Sequence, residues 1–121
     1  MEKIEAKLGT LYYEIVEEEV KFYDSDENFM IKVYEEEKEE INKLIKKIIE
    51  CEEIYDLFTM IFCEYICFAQ SLEELLEVIN DTIELENKIY LYKDELLTME
   101  DLKDNDYLNR IGNNYVFFMH N

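Results

Sequence analysis

Residues 24–35 run Asp24-Ser25-Asp26-Glu27-Asn28-Phe29-Met30-Ile31-Lys32-Val33-Tyr34-Glu35. A twelve-residue calcium loop needs oxygen ligands at its positions 1, 3, 5 and 12, and Asp24, Asp26, Asn28 and Glu35 stand there. Ile31 occupies the apolar position usual in such loops. Position 6 needs a glycine that can take positive φ, and Phe29 is bulky there. An acidic turn leading into a glutamate-rich helix therefore outweighs the calcium-responsive module as a reading of this stretch, which stays as an alternative.

Other groups carry less chemistry. Cys63 and Cys67 are four apart, a spacing that on a helix would let two thiolates share a metal, but His120 is the only histidine and no further ligand suggests itself. Core thiols are the better reading. Glu64, the one charge in the apolar stretch 57–69, could be a general acid with a raised pKa, or the wet edge of a helix shared with Asp56. Gly9 and Gly112 are the only glycines, too few for a phosphate loop, and no triad or metallohydrolase signature is present. An enzyme is not expected, nor a cofactor or metal.

These residues must be positioned by a small set of elements. The apolar stretch 57–69 is shorter than the roughly 20 residues that span a bilayer. Its length predicts a central buried helix over about 53–70, with Ile54, Leu57, Phe58, Ile61, Tyr65 and Phe68 on one stripe. Residues 1–23 read equally as helix or strand. From Val20 the alternation favours two strands around the polar turn 24–28. Residues 35–40, nearly all glutamate, open a helix that continues through Ile41, Leu44, Ile45 and Ile48, with carboxylates at its N-terminal end, where the dipole favours them. Two like-charge pairs in that helix, Glu35 with Glu39 and Glu36 with Glu40, would each cost about 0.2–0.5 kcal/mol.

Ser71 and Glu74 form a capping box that starts another helix along Leu72, Leu75, Leu76 and Ile79. After Asn80-Asp81 the period shortens to two, predicting a hairpin of 83–85 with 89–92. Thr98 and Asp101 can cap a short helical turn. Gly112-Asn113-Asn114 reads as a turn before a last strand, 115–119. The sum is an α+β fold: one small antiparallel sheet packed on about three helices around the central apolar helix, in a single domain over 1–121.

Charge points to function more than any motif does. With 31 acidic and 12 basic side chains the net charge is −19, whereas a small domain needs only about 2–8 net charges for solubility. Direct nucleic-acid binding and contact with anionic membranes are both disfavoured, because only Lys43, Lys46 and Lys47 cluster. No secretory leader is recognisable, so cytosol is expected, that of a host cell if the protein is viral. The three cysteines predict no disulfide.

The surplus acid predicts a basic protein partner. One acidic face is expected from Asp24, Asp26, Glu27, Glu35, Glu36, Glu37, Glu39 and Glu40, and a second from Asp94, Glu95, Glu100, Asp101, Asp104 and Asp106. Ten tyrosines interspersed with carboxylates suit a docking surface, since tyrosine is enriched at interfaces. In charge and size the chain resembles the acidic inhibitors that phages make against host nucleases, anti-CRISPR and anti-restriction proteins included. That resemblance implies a nucleic-acid mimic that fills the basic channel of a nuclease complex. An accessory or immunity protein that neutralises a basic partner is a further alternative.

Overall fold

The computed structural model describes residues 1–60, 63–85 and 97–120. The chain opens with a four-stranded antiparallel meander, β1 (Glu2–Glu5), β2 (Thr10–Val16), β3 (Glu19–Tyr23) and β4 (Phe29–Tyr34), in that spatial order. Residues 1–34 are thus strands joined by turns, with no helix, and the expected hairpin around 24–28 is present. Alternation sets the register: Ile4, Leu11, Val20, Phe22 and Ile31 point inward and are buried, while Lys3, Tyr12, Lys21 and Lys32 alternate with them on the outer face; Met30, at the irregularity in the β3–β4 pairing, is buried as well.

Helix α1 (Lys38–Glu50) follows, burying Ile41 and Ile48 two turns apart. It starts three residues later than expected, so residues 35–37 are an extended lead-in. Glu35 and Glu36 are not helical neighbours of Glu39 and Glu40, and the like-charge cost within a helix does not arise. The short α2 (Ile54–Met60) buries Ile54, Leu57 and Phe58.

The expected central helix over 53–70 is overturned. After α2 the chain changes character, and Cys63–Ala69 is a strand, β5, paired antiparallel with β7 (Asn114–His120), which also pairs with β6 (Leu108–Ile111). One sheet becomes two. The physical reason lies in β7, the middle strand, where Val116 and Phe117 are both buried although they project to opposite faces. Val116 and Ile111 join the core beneath the first sheet; Phe117, Cys67 and Leu102 join a second core with Leu75 and Ile79. The middle strand is thus covered on both faces at these positions, and the short apolar run that pairs with it does not by itself separate strand from buried helix.

That second core is closed by α3 (Leu72–Leu85) and α4 (Met99–Lys103). Ser71 caps α3, its Oγ accepting from the Glu74 N–H at 3.2 Å. The helix runs on through Leu85, which overturns the strand expected at 83–85; the partner strand 89–92 lies outside the described residues. Asn80 does not break the helix because its amide group bonds elsewhere: Nδ2 donates to the Leu97 carbonyl at 3.0 Å and Oδ1 accepts from the Leu97 N–H at 2.9 Å. Thr98 and Asp101 form the expected reciprocal cap of α4. Among the described residues no helix is long and apolar enough to cross a membrane.

Candidate functional site

Asp24, at the first position of the alternative calcium loop, is a structural hub. It is 1 % exposed. Its Oδ1 accepts from the N–H groups of Asp26 and Asn28, both at 2.9 Å, and its Oδ2 accepts from Asn109 Nδ2 at 2.9 Å and the Arg110 N–H at 3.1 Å. Four donors saturate both oxygens. Two belong to its own turn and two to β6, so one carboxylate ties the β3–β4 turn of the first sheet to the second sheet. Ser25 extends the seam: its Oγ donates to the Thr10 carbonyl at 2.6 Å and accepts from the Gly112 N–H at 2.9 Å. Asn109 is spent on the same junction, Nδ2 also reaching the Phe29 carbonyl at 3.3 Å, which leaves its Oδ1 buried without a protein partner.

Asp26 is also committed. Arg110 grips it with Nε at 2.9 Å from Oδ2 and Nη2 at 2.8 Å from Oδ1, a bidentate pair. The Arg110 hydrogen bonds hold the Asp26 carboxyl below the usual carboxylate range, and Asp26 in turn raises the guanidinium.

The geometry is not that of a calcium loop. Positive φ falls on Glu27, at 65°, and not on Phe29. Between Asn28 and Glu35 the chain is the extended strand β4, six residues at about 3.3 Å each, so Glu35 is carried about 20 Å from Asp24. An EF-hand folds its last ligand back onto its first. Here the intervening residues pair with β3 instead. Among the described residues no group of three or more His, Cys, Asp or Glu could hold a metal ion. Cys63 and Cys67 lie on a strand and not a helix, so the four residue steps from one to the other span about 13 Å of backbone.

The same strand divides the first expected acidic face. Asp24, Asp26 and Glu27 sit at one end of the β3–β4 hairpin and residues 35–40 at the other. What adjoins residues 35–40 is a trio with no place in the sequence-based set: Glu17, Glu18 and Glu19. A backbone hydrogen bond from the Glu35 N–H to the Glu18 carbonyl, 2.9 Å, closes the β2–β3 turn onto the lead-in to α1. Glu17, Glu18, Glu36, Glu37, Glu39 and Glu40 are all exposed. Two lysines temper this ridge, Lys32 at 3.7 Å from Glu19 and Lys43 at 3.2 Å from Glu40. Glu35 is half-buried and accepts from the Glu37 N–H.

Glu17 and Glu18 are the two loop residues of a hairpin closed by the pair Val16 and Glu19, and Glu17 has φ of 58°. Gly or Asn is the usual occupant of such a position, because a β-carbon there costs roughly 1–2 kcal/mol. The available sequence signal was a three-glutamate run between two alternating segments.

No protein-family model, no curated protein and no solved structure matches this chain.

Of the second expected acidic face, Glu100, Asp104 and Asp106 are exposed around α4, and Asp101 is occupied by the cap of that helix, accepting from the Thr98 hydroxyl at 2.7 Å. Asp94 and Glu95 lie outside the described residues, as do the side chains of Glu64 and His120. These carboxylates cap and flank a helix of five residues.

Proposed function

We propose that this chain is a non-enzymatic acidic binding protein whose ridge of Glu17, Glu18, Glu35, Glu36, Glu37, Glu39 and Glu40 occupies the basic nucleic-acid channel of a partner protein. This is the mode of a DNA-mimic inhibitor, as in phage anti-CRISPR and anti-restriction proteins. The observation that carries the reading is Glu17. A glutamate held at φ 58° in a two-residue turn, followed by two more glutamates and backed by residues 35–40, breaks the local preference for Gly or Asn and adds self-repulsion. Strain kept at such a position is of the kind that functional sites retain. The net charge of −19, well beyond what solubility needs, supports the same reading.

The partner supplies arginines and lysines that ordinarily contact phosphates, so the two ligands compete and binding weakens steeply with salt. The test is capture of proteins from a nuclease-treated host extract on the immobilised chain, followed by challenge with duplex DNA. The expected result is a retained nucleic-acid-binding protein that DNA displaces and that the Glu36→Lys/Glu37→Lys/Glu40→Lys variant no longer holds. A partner retained equally by the variant overturns the site. One lost by the variant but indifferent to DNA indicates an accessory or immunity protein acting on a basic surface outside any nucleic-acid channel.

A further inference from the structure

The outward face of the first sheet differs from the rest of the molecule. Register places Lys3, Tyr12, Tyr23 and Phe29 side by side in one row across the four strands, and Glu14, Lys21 and Lys32 in the next. Tyr34 and Glu19 pair in the row beyond. None of these side chains is buried, and Phe29 and Tyr34 are 47 % and 67 % exposed. The face is ordered by its own contacts: the rings of Tyr23 and Phe29 meet edge to face at 5.9 Å, the Tyr23 hydroxyl donates to Glu14 at 2.6 Å, and Lys32 lies 5.6 Å from the Tyr34 ring centre. Its charges cancel, since Lys3, Lys21 and Lys32 balance Glu5, Glu14 and Glu19. In a chain of net charge −19, this is a neutral aromatic platform.

We propose that this face docks on the same face of a second copy of the chain, in a two-fold pair whose axis runs parallel to the strands between β2 and β3. Charge selects the occupant. Two molecules of −19 repel across most of their surfaces, and a face of zero net charge lets them approach at the least cost. Register supplies the complementarity. Glu14 and Lys21 are direct cross-strand neighbours on the two central strands, so that axis sets each Glu14 over the partner copy's Lys21 and each Tyr12 over its Tyr23. The outer strands follow, with Lys3 brought to the ring of Phe29 in the other copy. Two twisted sheets meet in this way as the layers of a sandwich, with aromatic side chains between them.

The salt response is opposite to that of the carboxylate ridge. Screening removes the repulsion between the two net charges, so the pair tightens as salt rises, whereas binding of a basic partner loosens. Failure of one proposal is therefore distinguishable from failure of the other. The experiment is sedimentation equilibrium on the full chain across a salt series. The expected result is a shift from 14.8 kDa toward twice that mass, more complete at higher salt.

Lys21→Glu, which sets glutamate against glutamate in both copies, should weaken association by about tenfold or more, and adding Glu14→Lys should restore it. Phe29→Ser, at an exposed position that leaves the fold intact, provides a second probe and should also weaken the pair. A chain monomeric at every salt concentration, its face left to a different protein, overturns the proposal. So does a dimer indifferent to both Lys21→Glu and Phe29→Ser.

Discussion

The guanidinium of Arg110 lies against the carboxylate of Asp26 in two parallel hydrogen bonds of 2.8 and 2.9 Å, so a strand of the second sheet clasps a turn of the first from 84 residues away. Arg110 completes the clasp by donating from Nη1 to the Gly112 carbonyl at 2.5 Å. The pair is half exposed, and solvent screening limits it to about 0–1 kcal/mol. The Arg110 hydrogen bonds depress the Asp26 pKa, so the contribution is complete above the ordinary carboxylate value and is lost as pH falls through the lower value of the folded state. Asp26→Asn should melt lower than the parent at neutral pH, and the gap should close below about pH 4. Thermal melts at both pH values check this.

Asp24 should matter far more for stability. Asp24→Ala strips the acceptor from four donors in a buried seam, at a cost of about 3–5 kcal/mol in urea unfolding. Asp24→Asn should be nearly as costly, because its amide group would turn N–H toward N–H. Calcium added to the parent protein should leave its melting temperature unchanged. A rise abolished by Asp24→Ala would restore the calcium reading.

Gly9 and Gly112 cross at the same junction. Gly9 has φ of 152° and Gly112 has φ of 60°; a β-carbon on Gly9 would collide with the backbone of Gly112, and one on Gly112 with the Leu8 carbonyl. Either alanine substitution should cost about 2–3 kcal/mol, through overpacking against backbone that cannot withdraw. Chemical denaturation measures it, and a change under 0.5 kcal/mol, roughly the scatter of neutral surface substitutions, would refute the crossing.

Glu17 and Glu27 have nearly the same positive φ, 58° and 65°, in the turns at opposite ends of β3, which makes them a matched pair. Glycine at either site relieves the strain of a left-handed residue and should stabilise the fold by about 1 kcal/mol. Only Glu17→Gly should weaken binding to a basic partner, since Glu27 stands away from the ridge. Equal losses of affinity would move the binding surface to the hairpin as a whole.

Several elements were legible in the sequence because their causes are local. The caps at Ser71 and Thr98, the alternation through residues 20–34, the helix carrying Ile41 and Ile48 and the turn at Gly112 each depend on neighbours within a few residues. Composition alone likewise set the net charge and its excess over what solubility requires.

Tertiary structure decided the rest, because the determining partner is distant in each case. Residues 63–69 are a strand because β7 pairs with them from some fifty positions downstream, and a short apolar run by itself does not separate strand from buried helix. Asn80 permits a longer α3 because Leu97 takes its amide group. Asp24 and Asp26 have the residue types of metal ligands, yet their oxygens belong to Asn109 and Arg110. Glu17 and Glu18 join residues 35–37 through one backbone hydrogen bond. Sequence counts carboxylates, but only the folded chain determines which of them meet water, which are consumed in holding two sheets together, and which stand side by side.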